Sequence, residues 1–225
     1  MERVKADAIV SDGDGTLWRG SAAAGIGKYY MAWELYSRDF GAVMKGWNGA
    51  REVKRIVADF GADGNAEALK RFYEVLMSVG LGDERGMYKY ARRYISWHRI
   101  SAVQELINAV GEEPAVILST IDGSTAARAA ADHFKNIDHI ISNIDLFDGR
   151  NGMLSGVRLV VRNGEEKRHE AMGLLDRLGL DPSRCAAIGD SDGDVPTLKS
   201  VGLRYASPFA NEAVMRVPGI RLLRR

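Results

Sequence analysis

Residues 6–17 read Ala6-Asp7-Ala8-Ile9-Val10-Ser11-Asp12-Gly13-Asp14-Gly15-Thr16-Leu17. A short apolar run breaks off into alternating Asp and Gly. The run is too short for a helix, and Asp-Gly pairs favour turns, so the stretch predicts a buried strand followed by a tight loop. The same arrangement recurs twice. Residues 115–118 (AVIL) run into Ser119-Thr120, and residues 185–188 (CAAI) run into Gly189-Asp190-Ser191-Asp192-Gly193-Asp194. A weaker strand, Ile140-Ile141-Ser142, ends near Asn143. Segments 124–134, 165–178 and 195–201 have helical spacing, and Asn163 with Glu166 forms a capping pair for the second. Strands alternating with helices predict an α/β fold, a Rossmann-like parallel sheet with helices on both faces. Residues 153–161, after the turn-rich 148–152, predict a hairpin added to that scaffold.

One connection is too long for this plan. Nearly a hundred residues separate the first strand from the second, where a crossover unit needs about 30 in total. The gap holds an aromatic-rich window. Between Trp18 and Trp97 lie 14 of the 18 aromatic residues, with 13 Lys/Arg against 9 Asp/Glu. Segments 29–40, 50–60, 66–79 and 85–97 have apolar spacing near 3 and 4, and Gly61, Gly64, Gly80 and Gly82 punctuate them. This predicts an all-helical domain at 20–97, inserted into a core made of 1–19 and 98–225.

Bulk composition sets the limits. The 225 residues are 46% hydrophobic and 27% charged, enough apolar content for a sizeable core. A net charge of +1 argues against a dedicated nucleic-acid binder. The single Cys185 excludes an intramolecular disulfide, fits a reducing compartment and reads as a small buried hydrophobe. No apolar stretch approaches the ~20 residues of a membrane span, and the first ten residues show no signal-peptide core. The expected setting is the cytoplasm, with neither nucleic acid nor membrane as partner. The assembly, monomer or homodimer, is left open.

Chemistry enters at the strand ends. In an open parallel sheet, ligands bind outside the carboxyl ends of the strands. Asp12, Asp14, Ser119, Thr120, Asp190 and Asp194 all sit at such ends, so the topology brings them together. Clustered carboxylates repel and raise one another's pKa, and a hard cation such as Mg²⁺ is the usual remedy. A metal ringed by Asp beside Gly-rich loops suits phosphate, and an Asp can act as a nucleophile. Three other signatures fail. Gly189 to Gly193 fits a serine-hydrolase elbow, but His98, His133, His139 and His169 all precede Ser191, the wrong order for that triad. An EF-hand starting at Asp190 would need Gly where Val195 stands and Glu where Val201 stands. Gly27-Lys28 lacks the remainder of a phosphate-binding P-loop.

Asp12-Gly13-Asp14-Gly15-Thr16 resembles the first motif, DxDGT, of the haloacid dehalogenase-like superfamily. Ser119 after its strand resembles the second motif, Lys167 the third, and Gly189-Asp190-Ser191-Asp192-Gly193-Asp194 the fourth. All four occur in family order, and residues 143–156 resemble the phosphoserine-phosphatase-like branch. The resemblance implies a Mg²⁺-dependent phosphatase acting on a small phosphorylated metabolite. Asp12 would be the nucleophile, forming an aspartyl phosphate, and Asp14 the general acid and base. Asp14 also argues against dehalogenation, since dehalogenases lack an Asp there. Mg²⁺ would bind Asp12, the main-chain carbonyl of Asp14 and Asp190, with Asp194 orienting a ligand. Ser119, Thr120, Gly13 and Lys167 would hold the phosphoryl oxygens. The insertion would be a helical cap, with Lys45 and Arg51 as substrate-binding candidates. Residues 18–31 contain no Asp or Glu and Thr120 replaces a usual Gly, two departures that point away from phosphoserine itself. A sugar phosphomutase and a non-catalytic metal-binding regulator are the alternatives.

Overall fold

The structure is a computed structural model that describes residues 5–23, 25–27, 65–78, 80, 82–109, 114–134 and 136–224. Its elements in chain order are β1 (Ala8–Ser11), α1 (Asn65–Ser78), α2 (Glu84–His98), α3 (Ser101–Ala109), β2 (Ala115–Gly123), α4 (Ser124–Phe134), β3 (His139–Phe147) and β4 (Leu154–Arg158). Then follow α5 (Gly164–Arg177), β5 (Ala186–Gly189), α6 (Val195–Lys199), β6 (Leu203–Ala206), α7 (Glu212–Met215) and β7 (Arg221–Leu222). The helices expected at 29–40 and 50–60, with Lys45 and Arg51, lie outside the described residues.

Seven strands form one sheet in the order β4-β3-β2-β1-β5-β6-β7. Every pairing is parallel except β3 with β4, which is antiparallel. Side chains alternate across the strands, as period-2 geometry requires. On β1, Ile9 enters one hydrophobic cluster while Ala8 and Val10 enter another; on β2, Val116 and Leu118 join the first and Ile117 the second. Both faces are therefore buried, which is why these strands read as continuous apolar runs. Leu69, Phe72, Tyr73 and Leu76 of α1, with Met87, Tyr90, Tyr94 and Ile95 of α2, belong to the first cluster. So α1 and α2 pack on the sheet face that carries Ile9, Val116 and Leu118.

Three boundaries differ clearly from the sequence reading. β2 runs on to Gly123 rather than ending at Leu118, because it keeps pairing with β3 past a register shift. β3 continues to Phe147 rather than ending near Asn143, because residues 144–147 pair with β4 as a hairpin. The helix expected at 195–201 ends at Lys199. The cap of α5 agrees with expectation: Asn163 Oδ1 accepts from Glu166 N at 3.0 Å. The Glu166 carboxylate turns back to accept from Arg162 N at 2.9 Å. Cys185 is fully buried.

The register positions the site. Ser11 pairs with Leu118 of β2 on one side and Ile188 of β5 on the other. Strand order reverses at β1, so its carboxyl end faces a crevice flanked by the ends of β2 and β5.

Candidate active site

Asp12 leaves the end of β1, its N–H donating to Ile188 O at 3.0 Å. Its carboxylate is buried and accepts a short hydrogen bond from Lys167 Nζ. The same ammonium donates to Asp194 Oδ1 at 2.6 Å. Lys167 can reach because it lies in the first turn of α5, which abuts the 192–194 turn. A Cβ at Gly164 would stand 2.6 Å from Gly193 O, so only glycine permits this approach. Burial alone would lower the Lys167 pKa, but Asp12 and Asp194 outweigh it and hold the ammonium above the usual lysine range.

Asp190 and Asp194 come from the loop after β5. Asp194 Oδ2 accepts from Asp190 N at 2.9 Å and Ser191 N at 3.1 Å, which folds the loop around its own carboxylate. Asp190 accepts a long bond, 3.4 Å, from Thr16 Oγ1. Gly15 has φ 72, and a Cβ there would collide with the Asp190 carboxylate. Burial and the Asp194 charge push Asp190 up to about 7. Burial, then Asp194, also raise Asp12 well above the usual carboxylate range, against the pull of Lys167. One oxygen from each of Asp12, Asp190 and Asp194 lies within 4.8 Å of the others. Three converging carboxylate oxygens, with Asp12 and Asp190 raised by burial and by their mutual crowding, fit a hard divalent cation, whose charge would offset their repulsion. The Asp14 side chain is not in this group.

Asp14 faces the other way. Its Oδ1 accepts from Trp18 Nε1 at 2.6 Å and from Ala22 N at 3.0 Å. Burial raises its pKa, and these donors oppose the rise. Gly13 turns the loop, its carbonyl accepting from Leu17 N at 2.8 Å and Thr16 N at 3.2 Å. Ser119 is fully buried, and its Oγ has no partner among the described residues. Thr120 Oγ1 accepts from Asp122 N at 3.2 Å.

A cavity of about 530 Å³ opens over these groups. Asp12, Asp14, Thr120, Lys167, Asp190 and Asp194 line it, and Ser119 and Gly13 do not. Leu69 and Phe72 of α1, with Arg19 and Phe209, form further walls. A groove of about 590 Å³ between α2 and α4 lies away from the carboxylates. Its charges pair with each other, as in Arg128 with Glu84 at 2.8 Å.

The family model for haloacid dehalogenase-like hydrolases matches residues 6–202, a span that contains every strand end just described. The chain belongs to that family. Over 49 residues this hydrolase is 45% identical to a phosphoglycolate phosphatase of Methanopyrus kandleri. The match covers 22% of this chain and about a fifth of that protein's length. Its fold is that of a phosphoserine phosphatase solved with a phospho-aspartyl intermediate analogue, at TM-score 0.71 and 18% identity over 98% of this chain and 95% of that one. A protein of unknown function from Bordetella pertussis Tohama I superposes at TM-score 0.73 and 14% identity, covering 98% and 99% of the two chains.

Sequence reasoning missed three residues of the hydrolase: Asp122 beside Asp14, and Asp145 and Tyr73 next to Asp122. Asp122 lines the cavity and is in hydrogen-bond contact with the Asp14 carboxyl. Burial, then the Asp14 charge, raise its pKa well above the usual range. Asp145 of β3 accepts from Tyr73 Oη at 2.8 Å and from Thr125 N at 2.7 Å. Burial, with Asp145 alongside, raises the Tyr73 phenol in turn. No short motif announces these three. Asp122 is three residues past Ser119, and Tyr73 lies in a different element altogether.

Proposed function

We propose that this hydrolase is a Mg²⁺-dependent phosphatase that cleaves a small phosphomonoester through an aspartyl phosphate on Asp12. The observation that carries the reading is the placement of Asp12: one oxygen held by the Lys167 ammonium, beside Asp190 and Asp194, at the floor of a cavity. The Asp12 oxygen not held by Lys167 attacks phosphorus, and the P–O bond to the alcohol breaks. Asp14, in protonated form, gives its proton to the departing oxygen. It then takes a proton from the water that hydrolyses the acyl phosphate, so one group serves both halves. Its raised pKa supports that double role. Lys167 offsets negative charge as it builds on the phosphoryl oxygens. The hydroxyl of Ser119 has no partner among the described residues but does not line the cavity, so a role on one of those oxygens requires it to turn toward the cavity.

Asp12 and Asp190 would hold Mg²⁺, with the Asp14 carbonyl completing the set and Asp194 fixing the loop. The ion supplies charge neutralisation between the anionic nucleophile and the phosphate dianion. Residues 20–97 act as a cap that excludes water and reads the alcohol, with Lys45 and Arg51 among its basic residues. A cytoplasmic phosphorylated metabolite is the substrate class. Among the described residues, no helix is long and apolar enough to cross a membrane.

The test is a phosphate-release screen on p-nitrophenyl phosphate and about a hundred phosphorylated metabolites. Release with Mg²⁺, abolished by EDTA and restored by excess Mg²⁺, is expected. No release from any compound overturns the phosphatase; indifference to chelation removes the metal.

A further inference from the structure

Asp122 has no assigned task in the chemistry above, yet its position is built with care. Opposite β3, Ser119 pairs with Ile141 and Gly123 with Asn143. Three residues of β2, Thr120 to Asp122, therefore face the single Ser142. This is a bulge, and bulges re-aim side chains next to active sites. Two polar contacts pin it: Thr120 Oγ1 accepts from Asp122 N at 3.2 Å, and Asn143 Nδ2 donates to Ile121 O at 2.6 Å. The result turns Asp122 into the cavity wall, with only 8% of the residue exposed.

There the carboxyl is under-partnered. Asp122 Oδ2 is fully buried and has no N–H or hydroxyl donor among the described residues. Its hydrogen-bond neighbour is the carboxyl of Asp14, and the carboxyls of Asp145 and Asp12 lie near enough to add their repulsion. It is not in the group of oxygens that converge for a metal. Lys167, the buried cation of the site, is already shared by Asp12 and Asp194. Other polar groups of the wall are engaged: Arg19 lies over the Phe209 ring at 4.7 Å, and Ser21 bonds Asp14. The same cavity has an apolar part of its lining in Ile121, Leu69 and Phe72. A buried carboxyl without a donor is costly, and a ligand that brings a donor removes the cost.

We propose that Asp122 reads the alcohol part of the substrate, selecting phosphomonoesters whose leaving group carries a hydrogen-bond donor, a hydroxyl or an ammonium, close to the ester oxygen. The inference rests on the phosphatase reading, which places the phosphoryl group over Asp12 and hence the alcohol beside Asp14 and its neighbour Asp122. A site made to accept a hydrogen bond rejects the isostere that lacks the donor, because its own polar group is then left unpaired.

Three isosteric substrates test this: n-propyl, 2-hydroxyethyl and 2-aminoethyl phosphate, compared by kcat/KM with Mg²⁺. The wild type should prefer one or both donor-bearing esters over n-propyl phosphate by about tenfold or more. Asp122→Asn keeps an acceptor but no charge, so it should retain any hydroxyl preference and lose any ammonium preference. In Asp122→Leu the three values should converge, whatever the absolute rate. A loss of structure would lower all three together and leave their ratios alone. A wild type that turns over p-nitrophenyl phosphate but does not discriminate among the three overturns the proposal without any variant. So does a preference that survives Asp122→Leu. A wild type inert on p-nitrophenyl phosphate and all three esters overturns the phosphatase reading, and this one with it.

Discussion

The two sides of the crevice solve the same electrostatic problem differently. On the β5 side, Asp12 and Asp194 share the ammonium of Lys167, and Asp190 joins them in a group that can close on a cation. On the β3 side, Asp14, Asp122 and Asp145 have no ammonium or guanidinium within ion-pair distance among the described residues. Asp14 and Asp145 rely on neutral donors: an indole, a phenol and main-chain N–H groups. The Asp122 carboxyl lies against that of Asp14, with those of Asp145 and Asp12 nearby. Charges with a fixed counter-charge can stay ionised when buried, whereas carboxyls without one keep a proton more readily. The first side is thus suited to a nucleophile that Lys167 and a bound cation together hold anionic, and the second to groups that pass a proton.

Removing a charge from each kind of place should separate these roles. Asp12→Asn should cut turnover by about 10⁴-fold or more, the scale of deleting a nucleophile. The fold should survive, because Lys167 keeps Asp194 as a partner. Ordinary turnover in that variant would sink the assignment. Lys167→Met should do the reverse in proportion. Activity should fall about 10²–10³-fold, as for loss of one stabilising donor. Stability should fall by about 3–5 kcal/mol, since two carboxylates lose their buried partner. Urea titrations of the two variants side by side would check the contrast.

The carboxylates of the β5 side were legible in the sequence, and of the β3 side only Asp14 was, for a physical reason. Asp12, Asp14, Asp190 and Asp194 follow short apolar runs directly, so each is placed by its own strand and by the rule that strand ends converge. Lys167 needed the resemblance, because nothing local ties α5 to a residue 155 positions away. Asp122 depends on a register shift between β2 and β3, and Asp145 on β3 running past Asn143 into a hairpin. Neither is visible in periodicity. Asn143 shows what the pattern withheld: read as the place where a strand stops, it is the residue whose amide pins the bulge and, at 2.7 and 2.9 Å, the chain at Val160 and Val161.

A third test uses pH without mutation. In metal-free protein, Asp190 lies at about 7, above its unfolded value near 3.9. Between those values the folded state binds the proton more tightly, so stability should fall as pH rises through the window. Asp12 and Asp122 act with the same sign. Lys167 is raised and titrates above the window, so it contributes nothing there. One proton gives a slope of about 1.4 kcal/mol per pH unit, or roughly 3–6 °C in Tm at this length. Melting in EDTA from pH 5 to 7.5 should show the fall, and millimolar Mg²⁺ should flatten it. Equal slopes with and without the ion would mean that the β5 side does not bind it.

The smallest expected effect lies on the β3 side. Tyr73→Phe deletes the phenol that links α1 to Asp145 but leaves the Thr125 N–H in place. A hydrogen bond to a charged group contributes about 1.5–3 kcal/mol, and the surviving donor should hold the loss near the lower end. Leu69 and Phe72 lie on the same helix and line the cavity. Loosening α1 should therefore raise KM a few-fold while kcat, set by Asp12 and Lys167, stays within about twofold. A fall in kcat with KM unchanged would instead couple Tyr73 and Asp145, through Asp122, to the proton that Asp14 transfers, and the division between the two sides would have to be redrawn around a longer proton path.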